Sequence, residues 1–381
     1  MTARGLLLAL FLSLAAPAAA MPINVIDNRA FVEVRLNGNG PFHFVLDSGG
    51  LSIISTSLTK RLGLRTYEPF EGRGVGEKPI PAEHCDVADI EIGGEHLRSQ
   101  KIAVADLDDI KRAIGFEAID GLIGYELFSR YVDTIDYAAS TLTLTSPDAY
   151  SYPRDGIILP ISMIEHVPVV QGSIARLPAS FSLDTGDRWW LTLHTPFVAG
   201  HHLLDTDAAS LEAITGWGGG GPVPANVTRL GPLALDKISL GAQLTRFPLT
   251  HGGAYTRSDI SGSIGAGILR HMRVTFDYPA KRVVLENLRR FDDQYDRSGM
   301  WLTEGADGFG IESVVKNGPS AQAGIVKNDR VIAIDGVSAE KLFLPTLRDR
   351  LCDPHLRSIS LTIRRGANVT THEVHLRDLV R

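Results

Sequence analysis

The sequence is poor in cysteine, with only Cys85 and Cys352 among its 381 residues. Two thiols so far apart exclude the dense disulfide framework that holds small secreted domains together. They are compatible with a single disulfide in an oxidising compartment, although two isolated thiols are the simpler interpretation. The length of the chain fits two or three domains.

Long basic runs are also absent, and the formal net charge is −6. Nothing therefore predicts nucleic acid or an anionic membrane surface as a partner. An apolar run extends from Gly5 to Ala16 but is too short to span a bilayer comfortably. With Arg4 before it and the small residues Pro17 to Ala20 after it, this run predicts a signal peptide over residues 1–20. No cysteine follows to accept a lipid, so we expect a soluble periplasmic or secreted protein; the alternative is an uncleaved membrane anchor.

Motifs for metal-dependent or serine-based catalysis are missing as well. There is no Gly-x-Ser-x-Gly sequence, and His201, His202 and Asp205 lack a further ligand at helical spacing that would complete a zinc site. We expect no metal and no other cofactor. The glycines at 72, 74 and 76 resemble part of a dinucleotide loop, but without the strand–helix context a mobile hairpin tip is the favoured interpretation.

Two similar triplets stand at the ends of apolar segments. Asp47-Ser48-Gly49 follows Phe44 to Leu46, and Asp184-Thr185-Gly186 comes 137 positions later (184 − 47) after Phe181 to Leu183. An acid at a strand end presents its carboxylate at a strand–loop junction, where a hydroxyl residue can bond the backbone and a glycine allows the turn. Either triplet alone is better explained as an ordinary turn.

A second pair of matching segments makes the triplets part of an internal repeat. Gly121 aligns with Gly262, and Asp136-Tyr137 aligns with Asp277-Tyr278, at a constant offset of 141 (262 − 121) without a gap. A repeat of this length indicates a duplicated domain rather than a solenoid. We predict one lobe over residues 21–150 and a second over 151–290, packed so that Asp47 and Asp184 face each other.

Two carboxylates held close in a cleft of low dielectric constant cannot both ionise cheaply, so one keeps a proton and the pair titrates as a unit. The charged member can take a proton from water while the protonated member hydrogen-bonds a substrate carbonyl. This chemistry hydrolyses peptide bonds without a metal or a covalent intermediate. The glycine-rich segments Gly74-Val75-Gly76 and Gly218-Gly219 are candidate covers for the cleft, one from each copy.

The remainder of the chain predicts a third unit over residues 299–381. A strand at Phe309 to Val315, a one-turn helix between Gly318 and Gly324 and a helix at Leu344 to Leu351 are its clearest elements. The charge-rich stretch before it, with residues 291–298 at its end, is predicted to be a linker or a solvated last helix of the second lobe.

The two triplets and their downstream segments Leu122-Ile123-Gly124 and Ser263-Ile264-Gly265 resemble the aspartic proteases, and most closely the bacterial retropepsin-like group. The resemblance covers about residues 25–290. It implies a mainly β fold of two closed β-barrel lobes forming a pseudo-dimer, with flaps over a cleft. It also implies a catalytic dyad of Asp47 and Asp184, supported by Ser48, Gly49, Thr185 and Gly186.

Three positions depart from the pepsin-like pattern. Many members carry a hydroxyl residue after the motif glycine, whereas this chain has Gly50 and Asp187. Asp187 and Arg188 therefore place an extra acid and base beside the second aspartate. Ser263 stands where an apolar residue is usual, so the second lobe is expected to be the less regular one.

The last unit is similar to a bacterial PDZ domain, on the strength of Gly318 to Ala321, Ala323-Gly324 and Asp335-Gly336. The similarity implies an α+β domain that binds a peptide or a C-terminal tail as an added strand. The implied groove lies between the Phe309 strand and the Leu344 helix, with Phe309, Gly310, Ile311 and Leu347 as its peptide-binding residues. Its carboxylate-binding loop is either Gly299 to Trp301 or Gly308 to Gly310.

Two functions from different classes follow. The first is an exported, monomeric aspartic endopeptidase that acts on peptide or protein substrates, with partners bound by the PDZ domain. The alternative is a catalytically inactive peptide-binding or scaffolding protein that retains the protease fold. A third possibility is a zymogen whose flap or PDZ unit blocks the cleft.

Overall fold

The computed structural model describes residues 19–204, 210–291 and 293–380. Most of the predicted signal peptide (1–20) and Asp205 lie outside the described residues. The described part is mainly β, and its strands form four sheets.

The first unit contains a sheet that closes on itself. The sheet has the strand order β2-β3-β4-β9-β5-β8-β7-β6, and β3 also pairs with β7, where Arg35 lies opposite Glu91. The strands of this unit are β1 (Ala20–Pro22), β2 (Asn24–Ile26), β3 (Arg29–Leu36), β4 (Asn39–Leu46), β5 (Ile53–Ser55), β6 (Thr66–Gly72), β7 (Ile80–Ile92), β8 (Glu95–Ala105), β9 (Ile119–Ile123), β10 (Val132–Asp136) and β11 (Thr141–Thr145). Its helices are α1 (Thr56–Arg61), α2 (Asp108–Ile114) and α3 (Tyr125–Phe128), with a 3₁₀ turn at Pro147–Ala149.

The second unit contains a ten-stranded sheet, with the order β17-β18-β21-β16-β22-β15-β14-β19-β20 and with β13 paired to β14. No closing pair joins its two ends among the described residues. The strands of this unit, all of them in the ten-stranded sheet except β12, β23 and β24, are β12 (Ile157–Pro160), β13 (Ser162–Ile164), β14 (Val167–Ile174), β15 (Leu177–Asp184), β16 (Leu191–Leu193), β17 (Leu211–Gly218), β18 (Gly221–Leu230), β19 (Leu233–Leu235), β20 (Ile238–Leu240), β21 (Gln243–Pro248), β22 (Gly262–Gly265), β23 (Arg273–Asp277) and β24 (Arg282–Glu286). The helices are α4 (Thr195–Gly200) and α5 (Ala266–Leu269), with a 3₁₀ turn at Ala254–Thr256.

A six-stranded sheet joins the two units in the order β1-β11-β10-β23-β24-β12. At its centre β10 pairs antiparallel with β23, and Thr134 lies opposite Thr275. Their hydroxyl groups are 2.9 Å apart, and the two residues are separated by 141 positions, which is the offset of the repeat. Equivalent strands of the two copies therefore pair with each other.

The C-terminal unit has a sheet of its own, with the order β25-β26-β27-β29-β30 and with β28 paired to β27. Its strands are β25 (Met300–Gly305), β26 (Gly308–Val314), β27 (Arg330–Ile334), β28 (Val337–Ser338), β29 (Ser358–Arg365) and β30 (Asn368–His375). Its helices are α6 (Pro319–Gln322) and α7 (Leu344–Cys352), with a 3₁₀ turn at Ala339–Lys341.

The hydrophobic core is continuous across the first two units, whereas the C-terminal unit has a separate one. Phe128 of the first unit packs edge-on against Phe276 of the second, with ring centroids 5.3 Å apart. Trp189 and Trp190 are both buried in this core. Burial of so much apolar surface is the main stabilising contribution to such a fold.

The described residues of the segment 291–298 form no helix, so the predicted solvated last helix of the second lobe is absent there. Asp293 accepts hydrogen bonds from Arg270 and the indole of Trp190, and Tyr295 packs against Trp189. Arg297 is 4% exposed and donates to the carbonyl oxygens of 353 and 356. The charged residues are paired inside the molecule, so this segment attaches the C-terminal unit to the second unit.

Two further expectations concern bilayers and cysteines. Within the part of the chain that the structure describes, no helix combines the length and apolarity needed to cross a bilayer. Cys85 and Cys352 are both unpaired thiols, which is the simpler of the two interpretations of the sequence.

Candidate active site

Two aspartates stand at the ends of buried strands. Asp47 directly follows β4, and its amide donates to the carbonyl of Ile123 on the parallel neighbour β9 at 2.9 Å. Asp184 ends β15, opposite Gly265 of the parallel neighbour β22. The apolar residues before each acid are packed in the core, so both carboxyl groups are mounted on rigid elements.

The residues after each aspartate are joined by a reciprocal set of hydrogen bonds. The hydroxyl of Ser48 donates to Leu183 O at 2.8 Å, and the hydroxyl of Thr185 donates to Leu46 O at 2.7 Å. In return the amide of Ser48 donates to Thr185 Oγ1 at 3.0 Å, and the amide of Thr185 donates to Ser48 Oγ at 3.1 Å. Both hydroxyl residues are fully buried. Each turn therefore holds the backbone of the other unit.

The glycines of the two triplets allow the carboxyl groups to face each other. A Cβ atom on Gly49 would lie 2.6 Å from Cγ of Asp184, and one on Gly186 would lie 2.6 Å from Cγ of Asp47. Any side chain at either glycine would thus overlap the carboxyl group of the opposite unit. The structure brings Asp47, Ser48, Gly49, Asp184, Thr185 and Gly186 together in one site, as the repeat predicts.

The environment of the two carboxyl groups is asymmetric. Asp47 accepts one backbone hydrogen bond, from Gly49 at 3.0 Å, whereas Asp184 accepts two, from Gly186 and Asp187, each at 2.9 Å. Burial raises the pKa of Asp47 to about 6, although the Gly49 amide and the charge of Arg29 pull that pKa down. Burial, followed by the charges of Asp47 and Asp187, raises the pKa of Asp184 well above its usual range. The two carboxyl groups therefore titrate as a pair, and Asp184 is the member with the more strongly raised pKa.

Asp187 is part of a buried ionic cluster behind Asp184. Its carboxylate accepts from Arg246 Nη2 at 2.6 Å, from the hydroxyl of Tyr255 at 3.1 Å and from the amide of Trp189 at 3.0 Å. The side chain of Arg246 is 2% exposed, and its Nε donates to Thr192 Oγ1. Such a buried pair fixes the geometry of the turn, because removal of either partner would leave an uncompensated charge.

Two tyrosines occupy equivalent positions in the copies but have different partners. The hydroxyl of Tyr278 donates to the carbonyl oxygen of Ser48 at 2.7 Å, across the boundary between the units. The hydroxyl of Tyr137 is buried without a hydrogen-bond partner among the described atoms. The repeat had aligned these tyrosines without assigning them a role.

The predicted covers meet each other at their tips. Gly74, Val75 and Gly76 lie in the turn between β6 and β7, and Gly218 and Gly219 lie at the turn between β17 and β18. The amide of Gly76 donates to Gly219 O at 2.9 Å, and the amide of residue 254 donates to Gly74 O at 2.8 Å. Both glycine segments are hairpin tips, and the first forms no dinucleotide loop.

The peptide groove predicted beside Phe309, Gly310 and Ile311 is corrected by the structure. These residues lie in β26, which pairs with β25 on one side and with β27 on the other, so it has no free edge for a peptide. The outer strand is β25, which lies beside α7. Leu347 belongs to this helix. In the loop before β25, Asp296 already accepts from the amides of Ser298 and Gly299, at 3.0 and 2.7 Å.

Sequence reasoning missed several residues around the dyad, namely Asp27, Arg29, Arg246 and Tyr255. They are distant from the triplets in sequence, and no motif marks them. For Tyr278 a signal existed, because it lies in the aligned repeat. Among the described residues no group of His, Cys, Asp and Glu is arranged to hold a metal ion.

Comparison with known families gives two matches. A family model described as an aspartyl protease matches residues 32–127, which include Asp47, and a model described as a PDZ domain matches residues 310–365. No curated protein matches the chain.

Proposed function

We propose that this chain, which carries a retropepsin-like aspartyl protease domain followed by a PDZ domain, is an exported endopeptidase with a dyad of Asp47 and Asp184. One observation carries the proposal: two strand-end carboxyl groups face each other across a reciprocal set of hydrogen bonds between the units. Paired acids of this kind with separated proton affinities are suited to general acid–base hydrolysis.

In the proposed reaction Asp47 is the base and Asp184 the acid. Ionised Asp47 takes a proton from a water molecule as the water oxygen attacks the peptide carbonyl carbon. Asp184 donates its proton to the carbonyl oxygen, so that a neutral tetrahedral diol forms. When the C–N bond breaks, a proton passes from Asp47 to the leaving nitrogen, and Asp184 regains one from the diol. The asymmetric pKa shifts support this assignment.

The first two units are proposed to be lobes of a pseudo-dimer. Supporting it are the reciprocal bonds of Ser48 and Thr185, and the pairing of Thr134 with Thr275 at the repeat offset. Since one chain supplies both aspartates, a monomer suffices for activity. The hairpin tips at Gly76 and Gly219 are proposed to close the cleft over an extended substrate and to exclude water.

Export to the periplasm or the exterior is proposed from the N-terminal apolar run. Signal peptidase would cleave after Ala20, close to where β1 begins to pair with β11. Mass spectrometry of the protein recovered from cell fractions tests this. A mature chain that begins near Met21 in the periplasm or medium is expected, and a full-length chain in the cytoplasm would contradict export.

The main experiment is cleavage of unfolded casein by the purified mature chain at mildly acid pH. We expect a statine-type transition-state mimic to inhibit the cleavage. We expect Asp47→Asn and Asp184→Asn each to abolish it, by about four orders of magnitude or more. Asp136→Asn is the matched control, because Asp136 also ends a strand and caps the following amides but lies outside the site.

The outcomes separate the proposal from the alternative of an inactive scaffold. An active wild type and control, with two folded but inactive dyad variants, support the endopeptidase. Equal peptide binding by all four proteins without cleavage by any of them would instead identify a binding protein.

A further inference from the structure

A buried arginine of the PDZ domain reaches the protease domain. Arg348 lies on α7 and is 8% exposed. Its guanidinium donates to three main-chain carbonyl oxygens: Ile114 at 3.1 Å and Ala113, both at the end of α2, and Leu302 at 2.9 Å on the outer strand β25. A fixed planar cation that serves three carbonyls is well ordered, and its removal would leave these acceptors without their donor.

The same guanidinium faces a buried acid of the first unit. Arg348 Nη1 lies 3.7 Å from Asp27 Oδ2, which also accepts from Arg29 Nη1 at 2.7 Å. Arg188 Nε donates to Asp27 Oδ1 at 2.8 Å. Burial alone would raise the pKa of Asp27, but the charges of Arg188, Arg348 and Arg29 hold that pKa below its usual value. The carboxylate of Asp27 thus positions three guanidiniums, and the loss of one of them changes how strongly it attracts the other two.

The cluster continues into the turn that carries the second aspartate. Arg29 Nε donates to Gly186 O at 2.7 Å, and Gly186 N donates to Asp184 Oδ1 at 2.9 Å. The side chain of Asn28 donates to Arg188 O at 2.8 Å. A short chain of direct contacts therefore connects a PDZ helix to the carboxyl group of Asp184.

We infer that Arg348 is a positioning residue for the proposed reaction, acting through Asp27 and Arg29 on the turn of Asp184. The inference rests on the proposed function for its catalytic readout. Without Arg348, the carboxylate of Asp27 keeps only Arg29 and Arg188 as cationic partners. It then attracts Arg29 more strongly, and Arg29 moves away from Gly186 O. The turn then loses a hydrogen bond that defines where the acid of the dyad lies.

A consequence concerns the PDZ groove. A peptide that adds to β25 has to take the carbonyl of Leu302 from Arg348 and displace the end of α2. A Cβ on Gly115, just after α2, would lie 2.5 Å from Leu344 Cβ, so α2 and α7 are in close contact there. Through Arg348 the PDZ domain thus helps to hold the turn of Asp184 in place. Opening of the groove and the geometry of the dyad are therefore coupled.

The test compares Arg348→Met with Arg350→Met and Arg348→Lys in the full mature chain. Arg350 lies on the same helix but pairs with the exposed Asp335, so its loss is the matched control. For Arg348→Met we expect kcat to fall about tenfold or more with KM within about twofold, because a displaced catalytic group costs rate rather than binding. Arg348→Lys keeps the positive charge but loses the planar guanidinium that donates to several carbonyls at once. We expect its kcat to lie between those of the wild type and Arg348→Met.

Two further readouts distinguish positioning from loss of stability. The acid limb of the pH profile is expected to move to higher pH, because the charge of Arg29 lowers the pKa of Asp47 and this effect weakens when Arg29 is displaced. Asp184, Asp187 and Tyr278 also interact with Asp47. Amide hydrogen exchange over residues 183–188 is expected to quicken in Arg348→Met and to stay unchanged in Arg350→Met.

Unchanged kcat, pH limb and exchange in a folded Arg348→Met protein would overturn the inference. If that variant does not fold, Arg348→Lys is read by the same criteria. Should the wild type cleave nothing, the proposed function fails. The exchange contrast between the 348 and 350 variants then decides the positioning role on its own.

Discussion

At the scale of single residues, Asp187 is the departure from the family pattern with the clearest chemical consequence. Its amide donates to Asp184, and its buried charge is one of the causes that raise the pKa of both dyad carboxyls. Arg246 compensates this charge in part, through a direct contact at 2.6 Å. The charge of the side chain that follows the second motif glycine thus raises the proton affinity of both carboxyl groups.

We predict that Asp187→Asn moves the whole pH profile of cleavage toward acid pH. Hydrolysis needs one proton in the dyad, so it occurs between the lower and the upper pKa of the pair. Loss of the charge of Asp187 lowers both pKa values and hence both limbs of the profile. Stability is expected to fall by roughly 3–5 kcal/mol, because Arg246 loses its countercharge in a buried place.

The measurement is kcat/KM against pH, with Asp236→Asn as the control. Asp236 is exposed in the turn between β19 and β20, so that variant has the same net charge but an unaltered dyad. A profile that stays in place, or one that moves to higher pH, would contradict the role given to Asp187.

The positions of single residues were predictable from the sequence where a local motif exists. Asp47 and Asp184 each stand in a triplet, and the repeat indicated that they meet. Arg29, Asp27 and Arg246 were not predictable, because their roles depend on which loops the fold brings beside the triplets. A buried arginine leaves no periodic signal in the sequence.

At the scale of elements, the two hairpin tips are the parts of the site with the tightest backbone contact. A Cβ on Gly76 would overlap the backbone of Gly220, while Gly76 N donates to Gly219 O at 2.9 Å. Gly72 lies in the same hairpin, yet a Cβ there would have its nearest neighbour, Ile80 O, at 3.6 Å.

We predict that Gly76→Ala raises KM and lowers kcat/KM by about tenfold, because the tips can no longer close together over the substrate. Gly72→Ala, which adds the same methyl group where there is room, is expected to stay within about twofold of the wild type. Steady-state kinetics on one peptide substrate checks both. Equal kinetic constants for the two variants would show that contact between the tips is not needed.

Elements were predicted well where turns and alternation are strong. The strand predicted at Phe309 to Val315, the one-turn helix between Gly318 and Gly324 and the helix at Leu344 to Leu351 appear as β26, α6 and α7, close to their predicted bounds. The groove of the PDZ domain was misplaced by one strand, because a sequence does not show which strand of a sheet becomes its edge. The pairing of Asp293 and Arg297 in the segment 291–298 was not predictable for a related reason, since only the tertiary fold supplies their buried partners.

At the scale of the whole molecule, the two copies are related by a local two-fold arrangement at the site but differ in the pairing of their strands. Ser48 and Thr185 exchange equivalent bonds, yet the first sheet closes on itself while the second has no closing pair among the described residues. The sequence indicated the duplication through a constant offset. Ser263 indicated that the second copy is the less regular one, but the sequence could not reveal which strand pairings would be missing, because closure depends on pairings distant in sequence.

The reciprocal bonds predict that the two units unfold together, and that their junction is worth several times an ordinary hydrogen bond. In Ser48→Ala, the carbonyl of Leu183 and the amide of Thr185 both lose their partner in a buried place. In Thr185→Val, the carbonyl of Leu46 and the amide of Ser48 lose their hydrogen-bond partner in the same way. Each variant is expected to lose about 2–4 kcal/mol, since a buried unpaired backbone group costs about 1–3 kcal/mol.

Calorimetric unfolding of the full chain provides the measurement, with Ser182→Ala as the control. Ser182 lies in β15 and is also buried, but its hydroxyl makes one 3.4 Å bond within the second unit, to Gly262 O. The control is expected to lose less than about 1 kcal/mol. Because the bonds of Ser48 and Thr185 cross between the units, their loss should lower one common transition. A transition that splits, with only one half moving, would mean that the units are independent and that the paired aspartates are held by something other than these two hydroxyls.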